Sequence, residues 1–407
     1  MIKSYQKAFK LIPKDILILI FVFGFAYIGT AYSSFYSLFL QQYVKVNIID
    51  IGYALSASGA GSIIGTKLTG KLLKLFQPTV VVTISFAGLS ILNFGTIFLS
   101  HHTQILLCYF FFIGVFGAFY RPGFQYRLAK IEDELIRKNA YALYRVCIST
   151  GGTIGILIGG LMADISYLLM AIFFASISIL VSIFLLIKRD YISNSQGADE
   201  KTSLAQEKHP LLNKSFLLIL LKLAIFSFAF FQTVAFIPIY YVEYLGLSKS
   251  QFGLILASDF VFILGLEVYL VNALNKYRNH VSLILGVIVF SSGFLLLYSG
   301  LSHITFLWLA YGLICLGDIL FWPILLSDVA KLSKPMQRQA EYMIWYQMTI
   351  SAVLLCYASI GSWIIAISNI YTLWLVCSAA PLIIIPIIWI EQFISSVCKT
   401  KSEQAHT

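Results

Sequence analysis

Residues Gly117–Arg145 read GAFYRPGFQYRLAKIEDELIRKNAYALYR, and Gly317–Tyr346 read GDILFWPILLSDVAKLSKPMQRQAEYMIWY. Moved back by 201 positions, the second stretch lays Pro323 on Pro122, Ala330 and Lys331 on Ala129 and Lys130, Arg338 on Arg137, and Tyr342 on Tyr141. Each copy is the end of an apolar segment holding a proline, a short charged loop, and the opening of the next apolar segment. The same shift matches Gly52 with Gly253, Leu55 with Leu256 and Leu73 with Leu274. One offset that holds from Gly52 to Tyr141 marks a duplicated chain. Two halves of about 200 residues, each a series of apolar segments, are the internal symmetry from which many membrane carriers are built.

Working outward, composition settles the solvent. Of 407 residues, 59% are hydrophobic and 11% charged, and mean hydropathy is +0.87. A soluble domain carries about 25% charged residues, so folding in water is excluded. At about 20 residues per span, the length holds about twelve spans and short loops, with no separate soluble domain. The spans fall at about 16–40, 50–73, 79–99, 104–126, 139–162, 165–187, 215–241, 252–273, 281–300, 304–327, 340–362 and 370–393. We number them 1 to 12. The expected fold is an all-α membrane protein, with twelve transmembrane helices in two pseudo-symmetric six-helix bundles. The first bundle is 1–190. A polar linker occupies 191–213, and the second bundle and its tail occupy 214–407.

The net charge is +10. Such an excess suits nucleic acid in some proteins, but its placement here suits a bilayer. All but three of the 28 Lys and Arg (Lys45, Lys222 and Lys249) lie in the tails, in loops on one side or in the span ends that adjoin those loops. Positive charge gathers on the cytoplasmic side. Both termini are therefore expected in the cytoplasm, with the chain multi-pass in a plasma membrane of the bacterial inner-membrane kind. Lys222, within span 7, is expected to snorkel.

The six Cys form no CxxC pair, and the six His sit in loops or tails without ligand spacing. Free thiols and no metal or cofactor are expected. No Walker loop, paired histidines or nucleophile motif is present, so neither an ATP-driven pump nor an enzyme is indicated. Span 1 has no small-residue cleavage site and reads as retained.

Polar residues inside the spans are the functional candidates. Tyr27, Thr30, Ser34 and Ser37 follow one face of a regular helix. They either line a cavity, since lipid cannot satisfy them, or bond back to their own helix. A charge at mid-membrane costs about 2.5–3.5 kcal/mol, so each needs a partner or a task. Asp318, near the middle of span 10, is either a proton-coupling site, since burial favours proton uptake, or an acid that caps a helix or pairs with a cation. Asp259 and Glu267 in span 8 lie about 12 Å apart along a helix and do not form one site. They are further proton-coupling or cavity candidates. Arg121 and Arg145 either snorkel to headgroups or bind an anion at a cytoplasmic gate. Span 5 carries Gly151, Gly152, Gly155, Gly159 and Gly160, a run suited to close helix approach.

These features together resemble the major facilitator superfamily. Its loop 2–3 motif, G-x-L-a-D-r-x-G-r, maps onto Gly70–Pro78. Gly70 and Leu72 match, while Lys74, Leu75 and Gln77 replace the acid, the arginine and the second glycine. The span 5 motif of its antiporters, G-P-x-x-G-G, maps onto Gly155–Gly160 without the proline. Gly317-Asp318 and Pro323 are similar to the drug:proton antiporter branch. The resemblance implies secondary-active, proton-coupled efflux of small amphipathic molecules by alternating access. Spans 1, 7 and 11 line the cavity in that family, so Tyr27, Gln232, Tyr346 and Gln347 join Thr30 and Ser34 as substrate-cavity candidates. The implied partners are a small-molecule substrate, protons and the lipid bilayer, with no nucleic acid, and the implied state is a monomer. A metabolite importer or symporter is the alternative. A transport-inactive receptor or scaffold, which the altered loop motif permits, is the second.

Overall fold

The computed structural model describes residues 12–99, 101–129, 131, 133–188, 210–262, 279–301, 303–332 and 339–391. Every regular element among them is helical. Eleven of these helices are long and apolar enough to cross a membrane, and span 8 is the twelfth, described over Lys249–Phe262. The eleven coincide with apolar segments of the sequence, and the described part of span 8 falls in the remaining one. Glu267 lies outside the described residues.

Local chemistry sets the ends and breaks. Asn47 opens span 2 by accepting the Asp50 N–H at 2.8 Å, and Asp133 opens span 5 by accepting the Ile136 N–H at 2.9 Å. That cap starts span 5 at Glu134, one turn before its apolar run. Span 4 stops at Gly117, turns through Ala118 and Phe119, and resumes as Tyr120–Ala129. Pro122 has no N–H for the Ala118 carbonyl, and its ring crowds that oxygen. Its counterpart Pro323 leaves span 10 unbroken over Ile304–Leu332. The first copy is the weaker one: Gly114 and Gly117 both precede its proline, where the second has Cys315 and Asp318.

The duplication is visible in the backbone. Span 1 ends in a π-turn at Leu40–Val44 and span 7 in one at Tyr240–Tyr244. Each is followed by a left-handed residue, Lys45 (φ 62°) and Gly246 (φ 71°). Spans 2 and 8 start at Ile48 and Lys249, and spans 4 and 10 at Thr103 and Ile304, all at the sequence offset.

Two compact units divide the chain, and they do not follow the repeat. The first joins residues 1–200 to 235–260 and 354–362, and the second holds the remainder. In the first unit, glycines seat helix on helix. Gly61 and Gly65 lie against the Phe111 and Val115 carbonyls of span 4, and Gly151 against the Gly24 carbonyl of span 1. Any Cβ there would overlap backbone. In the second unit, Gly286, Gly293 and Gly317 bring spans 9 and 10 together. Beside them Phe226 stacks on Phe321 at 3.7 Å and lies 4.3 Å from Phe290. Lys222 does not snorkel. It is 1% exposed, and its Nζ lies 2.7 Å from the Glu391 carboxylate of span 12. Hydrocarbon cannot solvate an ammonium, so an internal acid does so.

Candidate functional site

Span 1 is irregular where the first unit has its polar pocket. Thr30 donates its hydroxyl proton to the Tyr27 carbonyl at 2.9 Å, and Ser33 donates to the Thr30 carbonyl at 2.9 Å. Hydroxyls that bond back to carbonyls bend a helix, and here Ala31–Phe35 tightens to a 3₁₀ turn. At three residues per turn, side chains three apart eclipse. Thr30, Ser33 and Tyr36 therefore share one face, and that face lines a cavity of about 110 Å³. The regular-helix stripe placed Ser34 there. The 3₁₀ turn substitutes Ser33, and Ser34 is half-buried outside the lining.

The opposite wall is span 3, with span 4 closing one side. Tyr36 donates to Asn93 Oδ1 at 3.0 Å. Thr96 donates to the Asn93 carbonyl at 2.7 Å, which leaves Tyr32 as the donor to Thr96 at 2.8 Å. Two tyrosines of span 1 thus fix Asn93 at the cavity. Ser178 of span 6 also lines it, with its proton given to the Phe174 carbonyl at 3.1 Å. Tyr120, the first residue after the break in span 4, lines it too.

Arg121 follows Tyr120. Its guanidinium lies 5.8 Å from the Tyr27 ring and 6.0 Å from the Tyr120 ring. Tyr27 is 13 residues beyond Lys14 in the span Lys14–Val44, and Arg121 is the last residue but one of the span Thr103–Pro122. It is nonetheless exposed, among tyrosines. Stacked rings hold this wall: Phe23 on Phe124 at 4.0 Å, and Phe124 on Tyr144 at 4.6 Å. Arg145 is exposed on span 5, and Asp259 is half-buried on span 8. Neither lines this cavity.

The remaining candidates lie in the second unit. Asp318 and Tyr346 are close enough to interact electrostatically. Gln232 is fully buried, and Gln347 is exposed.

A polar network closes the first unit at its Val44 end. Gln42 donates to the Glu243 carboxylate and accepts the Tyr167 hydroxyl at 2.6 Å. Glu243 is the repeat counterpart of Gln42. The Asp164 carboxylate accepts the Lys249 and Ser250 N–H groups, both at 2.9 Å. Lys249 Nζ donates to the Ala163 carbonyl at 3.0 Å and lies 4.5 Å from the Tyr167 ring. Nearby, Ser359 of span 11 bonds Ser56 of span 2 at 2.8 Å, and Gly59 lies against the Leu354 carbonyl. The sequence reading named none of these residues as functional. For Gln42 and Glu243 a signal existed: polar residues at matching places in the two repeats.

Comparison with curated protein sequences finds no match. Among solved structures the chain is similar to a POT family transporter in complex with 5-aminolevulinic acid, at 13% identity, TM-score 0.77, and 93% and 96% coverage of the two chains. It is also similar to the nucleoside transporter NupG, at 14%, 0.72, and 92% and 98%. A D-xylose-proton symporter gives 14%, 0.70, and 92% and 97%. At such identities these likenesses establish the fold alone. The model of the Major Facilitator Superfamily matches residues 16–266, more than half of the sequence. The chain therefore belongs to the Major Facilitator Superfamily, as a multi-pass secondary transporter of that type.

Proposed function

We propose that this protein moves a small polar organic solute across the membrane by alternating access, linked to proton movement. The carrying observation is the network at the Val44 end. It joins spans 1 with 7, 2 with 11 and 5 with 8 through hydrogen bonds, each worth about 0.5–1.5 kcal/mol. Contacts of that strength hold a gate shut and still release it. On the positive-inside reading the termini are cytoplasmic, and the closed end faces outward.

The polar lining of the first-unit cavity supports a polar cargo. The resembling structures also carry the names of peptide, nucleoside and xylose carriers. Efflux of amphipathic molecules draws less support. Four of the five span 5 glycines have packing duties: Gly151 against Gly24, Gly155 against Ile28 and Ala31, Gly159 against Phe35 and Phe174, and Gly160 against Lys249. The run is accounted for without an antiport motif.

Asp318 is the proposed proton carrier, because it is half-buried in mid-span and faces Tyr346. The test is solute flux in proteoliposomes under an imposed pH gradient. Wild-type flux should follow the gradient, and Asp318→Asn should uncouple it. Full proton dependence in that variant removes Asp318 from the role, and no gradient-driven flux of any solute removes the transport reading.

A further inference from the structure

The cavity in the first unit has a chemical bias. Four of its five hydroxyl protons are spent: Thr30, Ser33 and Ser178 each give theirs to a backbone carbonyl, and Tyr36 gives its own to Asn93. What these groups still offer is lone pairs, with the Asn93 amide N–H₂ and the Tyr120 hydroxyl as the side-chain donors that remain. Such a lining favours a guest that donates, namely a hydroxyl or an ammonium. Beside it stands a group of opposite demand. Arg121 offers only donors, is exposed, and faces no carboxylate among the described residues.

The duplication shows that the fold does not require this polarity. In the second repeat the counterparts of Thr30, Ser33 and Asn93 are Phe231, Val234 and Phe294, and the counterpart of Arg121 is Trp322. Positions that pack as apolar residues in one half are polar or charged in the other. A charge held within the membrane costs up to about 2.5–3.5 kcal/mol by insertion scales; the Tyr27 and Tyr120 rings offset part of that, and an anionic ligand would offset the rest.

We infer that the first repeat holds a two-point recognition site. Arg121, walled by Tyr27 and Tyr120, binds an oxyanion of the solute. The cavity at Thr30, Ser33 and Asn93 binds a hydrogen-donating group of the same molecule. The substrate class is a small hydroxylated or amino-bearing organic anion, with carboxylate or phosphate as the charged end. This deepens the transport reading and rests on it.

Binding to the purified protein in nanodiscs, measured by calorimetry without any gradient, tests the site. The probes are glucuronate, glucose 6-phosphate and alanyl-alanine. Glucose, hexanoate, alanyl-alanine amide and N-acetyl-alanyl-alanine are the controls that lack one of the two groups. At least one probe should bind about tenfold or more tighter than each of its controls. Glucuronate against glucose 6-phosphate separates carboxylate from phosphate. Arg121→Gln should abolish that binding while Arg121→Lys keeps part of it, and Thr30→Val with Ser33→Ala should weaken it to the level of the donor-lacking control. Gel filtration and melting temperature establish that each variant is folded. The site is overturned if none of the three probes binds, if a control binds as tightly, or if Arg121→Gln binds like wild type. Binding that follows these rules without gradient-driven flux in proteoliposomes leaves the site standing and removes the transport reading instead.

Discussion

Asp164 caps the helix that Lys249 begins, and Lys249 caps the helix in which Asp164 lies. The carboxylate takes the first two N–H groups of span 8, while the ammonium reaches a terminal carbonyl of span 5. Each charge also meets the favourable end of the other helix's dipole. The pair is therefore a reciprocal clasp, and it couples two helices from different repeats.

Breaking the clasp should loosen the closed end and leave the fold intact. Asp164→Ala removes a cap and a dipole partner, worth about 1–2 kcal/mol. Alkylation of a cysteine placed at Ser359 should then rise about tenfold. Asp164→Asn, which still accepts hydrogen bonds, should raise it less. Adding Lys249→Ala to Asp164→Ala should change little further, because both act on one contact.

Two glycines of span 2 should respond differently to the same change. Gly59 lies against the Leu354 carbonyl of span 11, and Gly61 against the Phe111 carbonyl of span 4. Overpacking at such sites costs about 1–3 kcal/mol. Gly59→Ala should stop closure and abolish flux with little change in melting temperature. Gly61→Ala should lower the melting temperature directly, since spans 2 and 4 have no open alternative. Equal melting curves for the two variants would contradict the assignment.

The ion pair of Lys222 with Glu391 should be asymmetric. Lys222 is buried, whereas the Glu391 side chain is 30% exposed. Glu391→Gln strands an ammonium away from water and should cost about 3 kcal/mol. Lys222→Met leaves an acid that can still reach solvent and should cost clearly less. The double variant should melt nearer wild type than Glu391→Gln alone does.

The two left-handed residues invite opposite substitutions. Lys45 carries the strain of a side chain at φ 62°, where its counterpart is a glycine. Lys45→Gly should stabilise the protein by about 0.5–1 kcal/mol. Gly246→Ala has open space around it and should cost about 1 kcal/mol through its backbone alone. Denaturant or thermal melts of both variants check the signs.

The spans were legible in the sequence because hydrocarbon imposes length and composition on every one of them. The duplication was legible because Pro122 and Pro323 punctuate alike. The cavity was only half legible. Thr30 lines it as the polar face predicts, while Tyr27 of the same face lies outside the lining, against Arg121; Ser33 and Tyr36 depend on a 3₁₀ turn that no fixed period anticipates. Asn93 has Ser90 and Thr96 three residues to either side on the same face of span 3, a polar pattern that the sequence reading passed over. Lys222 looked like a snorkelling residue because its partner is Glu391, at the far end of the second half. Arg121 stayed open between snorkelling and anion binding because the break before Pro122 and the face it turns toward Tyr27 are tertiary facts.

The bond between Gln42 and Glu243 carries a consequence for the chain's ancestry. A position on the symmetry axis of two identical copies meets itself, so an acid there would meet an acid and repel. An unfused ancestor could have used a neutral amide on both sides, or nothing. Within one chain the two mates need not be identical, and here a complementary donor and acceptor face each other where two acids would repel.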